Sequence, residues 1–80
     1  MELGSLTEFL VKNLVSDPDS VSVKQFDDED TITIEVLVSS DDMGKVIGKR
    51  GMIANAIRTI VQASSRLNNE RYVKINIDSF

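Results

Sequence analysis

The chain has 80 residues, 41% of them hydrophobic and 28% charged, which is ordinary globular composition with room for one compact domain. It contains no Cys and no His, so disulfides, thiolate nucleophiles and Cys-based zinc sites are excluded, and the commonest general base and metal ligand are missing. The net charge of −4 argues against an anionic partner, but residues 1–42 carry eleven acids against Lys12 and Lys24, whereas residues 43–69 carry Lys45, Lys49, Arg50, Arg58 and Arg66 and no acid. A local positive surface on an acidic protein is the expectation, and an anion responds to that local field.

Met1-Glu2-Leu3-Gly4 lacks the basic flank and apolar run of a secretory signal, and no apolar stretch is long enough to span a bilayer. A soluble cytoplasmic domain without a membrane partner is expected. Ser5-Leu6-Thr7-Glu8 fits a capping box with Ser5 as N-cap. Leu3, Leu6, Leu10 and Leu14 follow at helical spacing, widened by Phe9, and Ser16-Asp17-Pro18-Asp19 stops the run. The first helix is thus predicted over 5–15, with this stripe in the core. Val21, Val23 and Phe26 predict a short strand. Asp27–Asp30 is a polar turn, and Thr31–Val38 alternates with Ile32, Ile34, Val36 and Val38 on one face. The two strands form an antiparallel hairpin, and the lack of a turn glycine predicts a longer loop.

Ser39–Asp42 supplies N-caps for a second helix over 42–47, which Gly48 and Gly51 interrupt. Ile53, Ile57, Ile60, Val61 and Ser64 then predict a third helix over 52–65, followed by a loop over 66–70. Val73, Ile75 and Ile77 alternate with polar residues in a last strand. The order is α-β-β-α-α-β in a single domain over 1–80, an α+β arrangement with helices covering one face of the sheet.

Chemistry concentrates in Gly44-Lys45-Val46-Ile47-Gly48-Lys49-Arg50-Gly51-Met52-Ile53-Ala54 and on through Arg58. Glycine lets backbone approach a ligand closely and adopt turn dihedrals that other residues resist. Two cations lie between the glycines. A helix starts beyond Gly51, and its first amides suit an anion. A phosphate chain fits all three features, although a bare G-x-x-G is by itself a weak motif and more often a plain turn.

Val46-Ile47-Gly48-Lys49-Arg50-Gly51, in this element order, resembles the KH domain, whose G-x-x-G loop clamps about four nucleotides of single-stranded nucleic acid. The resemblance covers nearly the whole chain and is to the bacterial type II form, three helices on a three-stranded mixed sheet. It implies that Gly48, Lys49, Arg50 and Gly51 hold phosphates, with Lys45, Arg58 and Arg66 nearby. It further implies that Val46, Ile47, Ile53 and Ala54 line an apolar floor or support it from the core. Ala54 departs from the large aliphatic residue common in the family, and Ile53 and Ile57 are placed to fill that space. The final strand and the loop before it would form the opposite wall, with residues near Arg66 and from Arg71 to Ile75 as candidates and the strand's backbone reading base edges. Aromatic stacking is expected to be minor, since none of Phe9, Phe26, Tyr72 and Phe80 lies in the loop region.

The same resemblance implies a single-stranded RNA-binding protein without enzymatic activity or cofactor. It implies an RNA chaperone or post-transcriptional regulator working with a second, larger KH protein or as a homodimer, and linked to cell-wall homeostasis and cell shape. A protein-interaction module using the same groove is the alternative. Other motifs fall away. Gly44-x-x-x-Gly48-Lys49 lacks the spacing and the Ser or Thr of a P-loop, and Asp27–Asp30 lacks the ligand spacing and glycine of a calcium loop.

Overall fold

In the computed structural model, residues 2–68 and 71–80 are described. The elements run α1 (Leu3–Lys12), β1 (Ser22–Asp27), β2 (Thr31–Val38), α2 (Met43–Ile47), α3 (Met52–Asn68) and β3 (Tyr72–Ser79). Short 3-10 turns at Pro18–Ser20, Ser40–Asp42 and Lys49–Gly51 join them. Among the described residues no helix is long and apolar enough to cross a membrane.

The central strand β2 pairs antiparallel with β1 and parallel with β3. Its alternation places Ile32, Ile34, Val36 and Val38 on one face, all buried, as the sequence predicted. Each such side chain is worth about 1.5–3 kcal/mol when buried. The predicted hairpin forms with three residues between the strands, and Asp28 N–H donates to Thr31 C=O at 2.8 Å. Val73 and Ile75 extend the apolar face onto β3, while α1 and α3 cover it with Leu3, Val11, Ile57 and Val61. The result is a type II KH topology, and the parallel β2–β3 pair needs the helical crossover that α2 and α3 provide.

Helix α1 departs from the prediction in both position and face. It starts at Leu3, with Glu2 at the N-cap and no side-chain capping bond, so Ser5 lies inside the helix. Burial of Leu3 against the core draws the first turn forward. The buried stripe is Leu3, Thr7 and Val11, with Leu6 and Leu10 packed at its margin. Thr7 enters the core because its hydroxyl donates to Leu3 C=O at 2.8 Å, which removes the cost of a bare polar group. Phe9 is consequently 57% exposed and Leu14 lies outside the helix. Helix α3 is three residues longer than predicted, so Arg66 and Leu67 are helical rather than in a loop; Asn69 and Glu70 of that predicted loop lie outside the described residues. Ile60, predicted inward, faces outward at 47% exposure, because Ala54, Ile57, Val61 and Ser65 form the inner stripe.

Asp42 stands at the N-cap position of α2, as predicted, but its side chain makes no capping bond and clamps a distant segment instead. The carboxylate is buried and accepts the Ser16 amide at 3.1 Å and the Asp17 amide at 3.2 Å. Lys45 Nζ lies 3.4 Å from it and also donates to Ser16 Oγ. The Ser16 amide is the largest cause holding the Asp42 carboxyl below its ordinary value of 3.8, with Asp17 and Lys45 acting in the same direction against desolvation. This clamp ties the connection after α1 to the start of α2.

A depressed folded-state pKa gives stability that is present above the unfolded value and is lost as pH falls through the folded one. Asp42→Asn should lower the melting temperature at pH 6, and the gap between parent and variant should close below about pH 3.8. Thermal melts of both proteins across pH 3–6 check this (a buffer range set by that carboxylate value), and parallel curves would contradict it.

Candidate nucleic-acid interface

The corner between α2 and α3 is built from three left-handed residues. Gly48 has φ 75° and ψ 174°, a region essentially confined to glycine. A Cβ on Gly48 would stand 2.6 Å from Ile53 Cγ1 and 2.9 Å from Ile53 Cβ, so the glycine is required by space as well as by dihedral angle. Gly51 has φ 73° and open space around it, so there the dihedral alone favours glycine. Between them Arg50 sits at φ 58° and ψ 23°, a conformation that costs a non-glycine residue roughly 1–2 kcal/mol.

The turn changes which amides are available. Gly51 N–H donates to Gly48 C=O at 3.1 Å and Met52 N–H to Lys49 C=O, so these two are not free for a ligand as the sequence suggested. Among the described residues, no bond between elements uses the amides of Lys49 and Arg50. A right-handed residue followed by a left-handed one turns successive amides to one side, the concave arrangement that binds anions. Lys49 and Arg50 are both exposed.

The remaining candidates separate into groups. Ile47 and Ile53 are half-buried beside the loop and offer an apolar surface. Val46 and Ala54 are 0% and 1% exposed, so they support that surface from the core and do not line it. Lys45 is committed to Asp42 and Ser16. Arg58 lies two turns along α3, where its Nε and Nη2 donate to Ile75 C=O at 3.4 and 3.2 Å. Arg66 is exposed two turns further on. Arg58 and Arg66 flank an open depression of about 400 Å3, with Gln62, Ala63, Tyr72 and Val73 as further walls.

Tyr72 falls on the strand expected as the opposite wall, whereas Gln62 was missed by sequence reasoning. Tyr72 lines the depression and is 62% exposed, so one aromatic does stand beside the α3–β3 groove. Gln62 bridges α3 to β3, its Nε2 donating to Arg71 C=O at 3.1 Å and its Oε1 accepting Val73 N–H at 2.8 Å. The one signal available was the acid-free stretch, which marks α3 as a basic helix but not which of its polar residues meet the strand.

The KhpA/KhpB KH-domain family matches residues 5–77. The chain belongs to that family. It is 47% identical over 71 residues to the RNA-binding protein KhpA of Clostridium perfringens, covering 89% of this chain and 95% of that one. KhpA of Halalkalibacterium halodurans is 42% identical over 75 residues, covering 94% and 97%. Among solved structures, Era in complex with MgGDPNP and nucleotides 1506–1542 of 16S ribosomal RNA superimposes with a TM-score of 0.69 at 18% identity. The match spans 96% of this chain and 29% of Era. Aquifex aeolicus Era bound to GDP and AlF4− gives a TM-score of 0.72, also at 18% identity. These structural matches bear on the fold alone, and together with the family match they give the KH fold.

Proposed function

We propose that this protein binds single-stranded RNA at the Gly48–Gly51 loop and along the α3–β3 groove, without covalent chemistry. The observation that carries the reading is the loop itself. Two exposed cations, a concave run of amides and a glycine pressed against Ile53 coincide at one corner of an otherwise acidic molecule. The name of the relatives, RNA-binding protein KhpA, supports it. In this reading Gly48, Lys49, Arg50 and Gly51 hold phosphates, Ile47 and Ile53 meet bases, and Arg58 and Arg66 line the path onward. The protein acts in the cytoplasm as an RNA chaperone or post-transcriptional regulator, alongside a second KH protein of the KhpB kind, with consequences for cell-wall homeostasis and cell shape.

A second reading, self-association, has its own observation. Met52, Ala56, Ile60, Ala63 and Leu67 form an exposed, uncharged stripe on α3, with Leu67 at 87% exposure. The stripe faces away from the core, beside the groove, so pairing through it would set two RNA grooves side by side. Two linked grooves raise avidity without any new RNA contact.

Lys49 and Arg50 replaced together by Asp test the first reading. Both side chains are exposed, and Asp tolerates the left-handed position 50 better than most residues. The melt should be unchanged while RNA affinity falls at least tenfold, about 1.4 kcal/mol. For the parent, anisotropy titrations should give a slope of log affinity against log salt of about −1.4 to −2.8, from two to four phosphate contacts. A double variant that melts normally and binds as the parent does would refute the loop's role. The second reading predicts that sedimentation of the parent shows a dimer and that Ile60→Asp yields a folded monomer. A parent that sediments as a monomer at tens of micromolar, about the upper range for such weak pairs, would remove it.

A further inference from the structure

We propose that Gln62 fixes the register in which the edge of β3 meets RNA, by filling one hydrogen-bonding position of that edge itself. The inference rests on the reading of the groove as an RNA site. On β3 the even-numbered residues face β2: Tyr72 N–H donates to Asp30 C=O and Phe80 N–H to Val38 C=O. Alternation therefore turns the N–H and C=O groups of Val73, Ile75 and Ile77 toward the edge that has no partner strand. That edge offers a repeating position, the C=O of one residue beside the N–H of the residue two further on.

The first such position is Arg71 C=O with Val73 N–H. The Gln62 carboxamide takes both, and Ser65 Oγ adds a second bond to Arg71 C=O at 2.8 Å. The third begins at Ile75 C=O, which Arg58 covers. Between them, Val73 C=O and Ile75 N–H receive no side-chain hydrogen bond among the described residues. A planar group with a donor beside an acceptor thus already occupies one position of the same geometry as the unbonded one. The edge of a nucleobase carries the same donor–acceptor pair.

Direction follows from the pairing of α3 with β3. Arg58 meets Ile75 and Gln62 meets Val73, so the two elements run antiparallel and the Gly48–Gly51 loop lies toward the C-terminal end of β3. Gln62 closes the edge on the side away from the loop. Beyond Arg58 the 400 Å3 depression continues toward Arg66, with space for a further nucleotide. Gln62 keeps that nucleotide from pairing with the strand, so the base read at Val73–Ile75 is the last one read.

The test compares the full chain with Gln62→Met, which keeps side-chain length and loses both hydrogen bonds. Oligoadenylates of increasing length are titrated by fluorescence anisotropy, with a parallel thermal melt. Parent affinity should stop rising at one length. The variant should gain one further step, about threefold to tenfold, the worth of one or two hydrogen bonds. The gain should vanish when the added nucleotide is abasic, which separates base reading from a phosphate contact to Arg66. An identical length profile in parent and variant would overturn the proposal and leave Gln62 as a tie between helix and strand. A parent that binds no oligoadenylate at any length would instead bring down the RNA reading, and this inference with it. Should Gln62→Met not fold, Gln62→Asn, too short to reach the strand, carries the same expectation. Failure of both to fold would make Gln62 a structural tie and end the proposal.

Discussion

The contact between the bare Cα of Gly48 and the Ile53 side chain is the constraint on which the candidate site depends. It brings α2 and α3 together at a corner too tight for any residue with a Cβ. The left-handed turn that follows forces Lys49 and Arg50 outward and aligns their amides. The same corner sends α3 back across the sheet and allows β3 to enter parallel to β2. Fold and loop chemistry therefore have one origin: the backbone geometry that closes the crossover also builds the concavity proposed to hold phosphate.

The clamp at Asp42 complements that corner from the other side. It fixes the start of α2 to the segment after α1, with a buried carboxylate receiving two backbone amides and a lysine. One cation of the basic stretch is thereby neutralised internally. The positive surface that remains is Lys49 and Arg50 at the loop, with Arg58 and Arg66 along α3, so the charge available to an anion follows a line and not a patch. A line of charge beside an open strand edge suits an extended polyanion better than a compact one.

The sequence made legible those parts that local periodicity or a single residue type dictates. The strand β2 was evident because its apolar face has period two and is wholly buried, and the G-x-x-G corner because only glycine permits it. Helix α1 was misplaced because two stripes compete on it. Leu6, Phe9 and Leu10 are the more hydrophobic, but Thr7 and Val11 are small enough to lie against the sheet, and the Thr7 hydroxyl is satisfied within its own helix. The clamp from Asp42 to Ser16 spans 26 residues, and Gln62 meets a strand edge 11 residues away; neither leaves a local pattern. Tyr72 looked remote from the loop along the chain, yet its strand lies beside α3, so it reaches the groove.

The groove from the Gly48–Gly51 loop along α3 and the β3 edge is where RNA is proposed to lie. Amide chemical-shift mapping by NMR during titration with a short single-stranded RNA tests it most directly. Shifts should concentrate at Gly48–Gly51, along Arg58–Arg66 and at Val73 and Ile75, with the outer sheet face around Lys24 and Phe26 unmoved. Shifts confined to that outer face, or a bound RNA that leaves the loop amides in place, would contradict it.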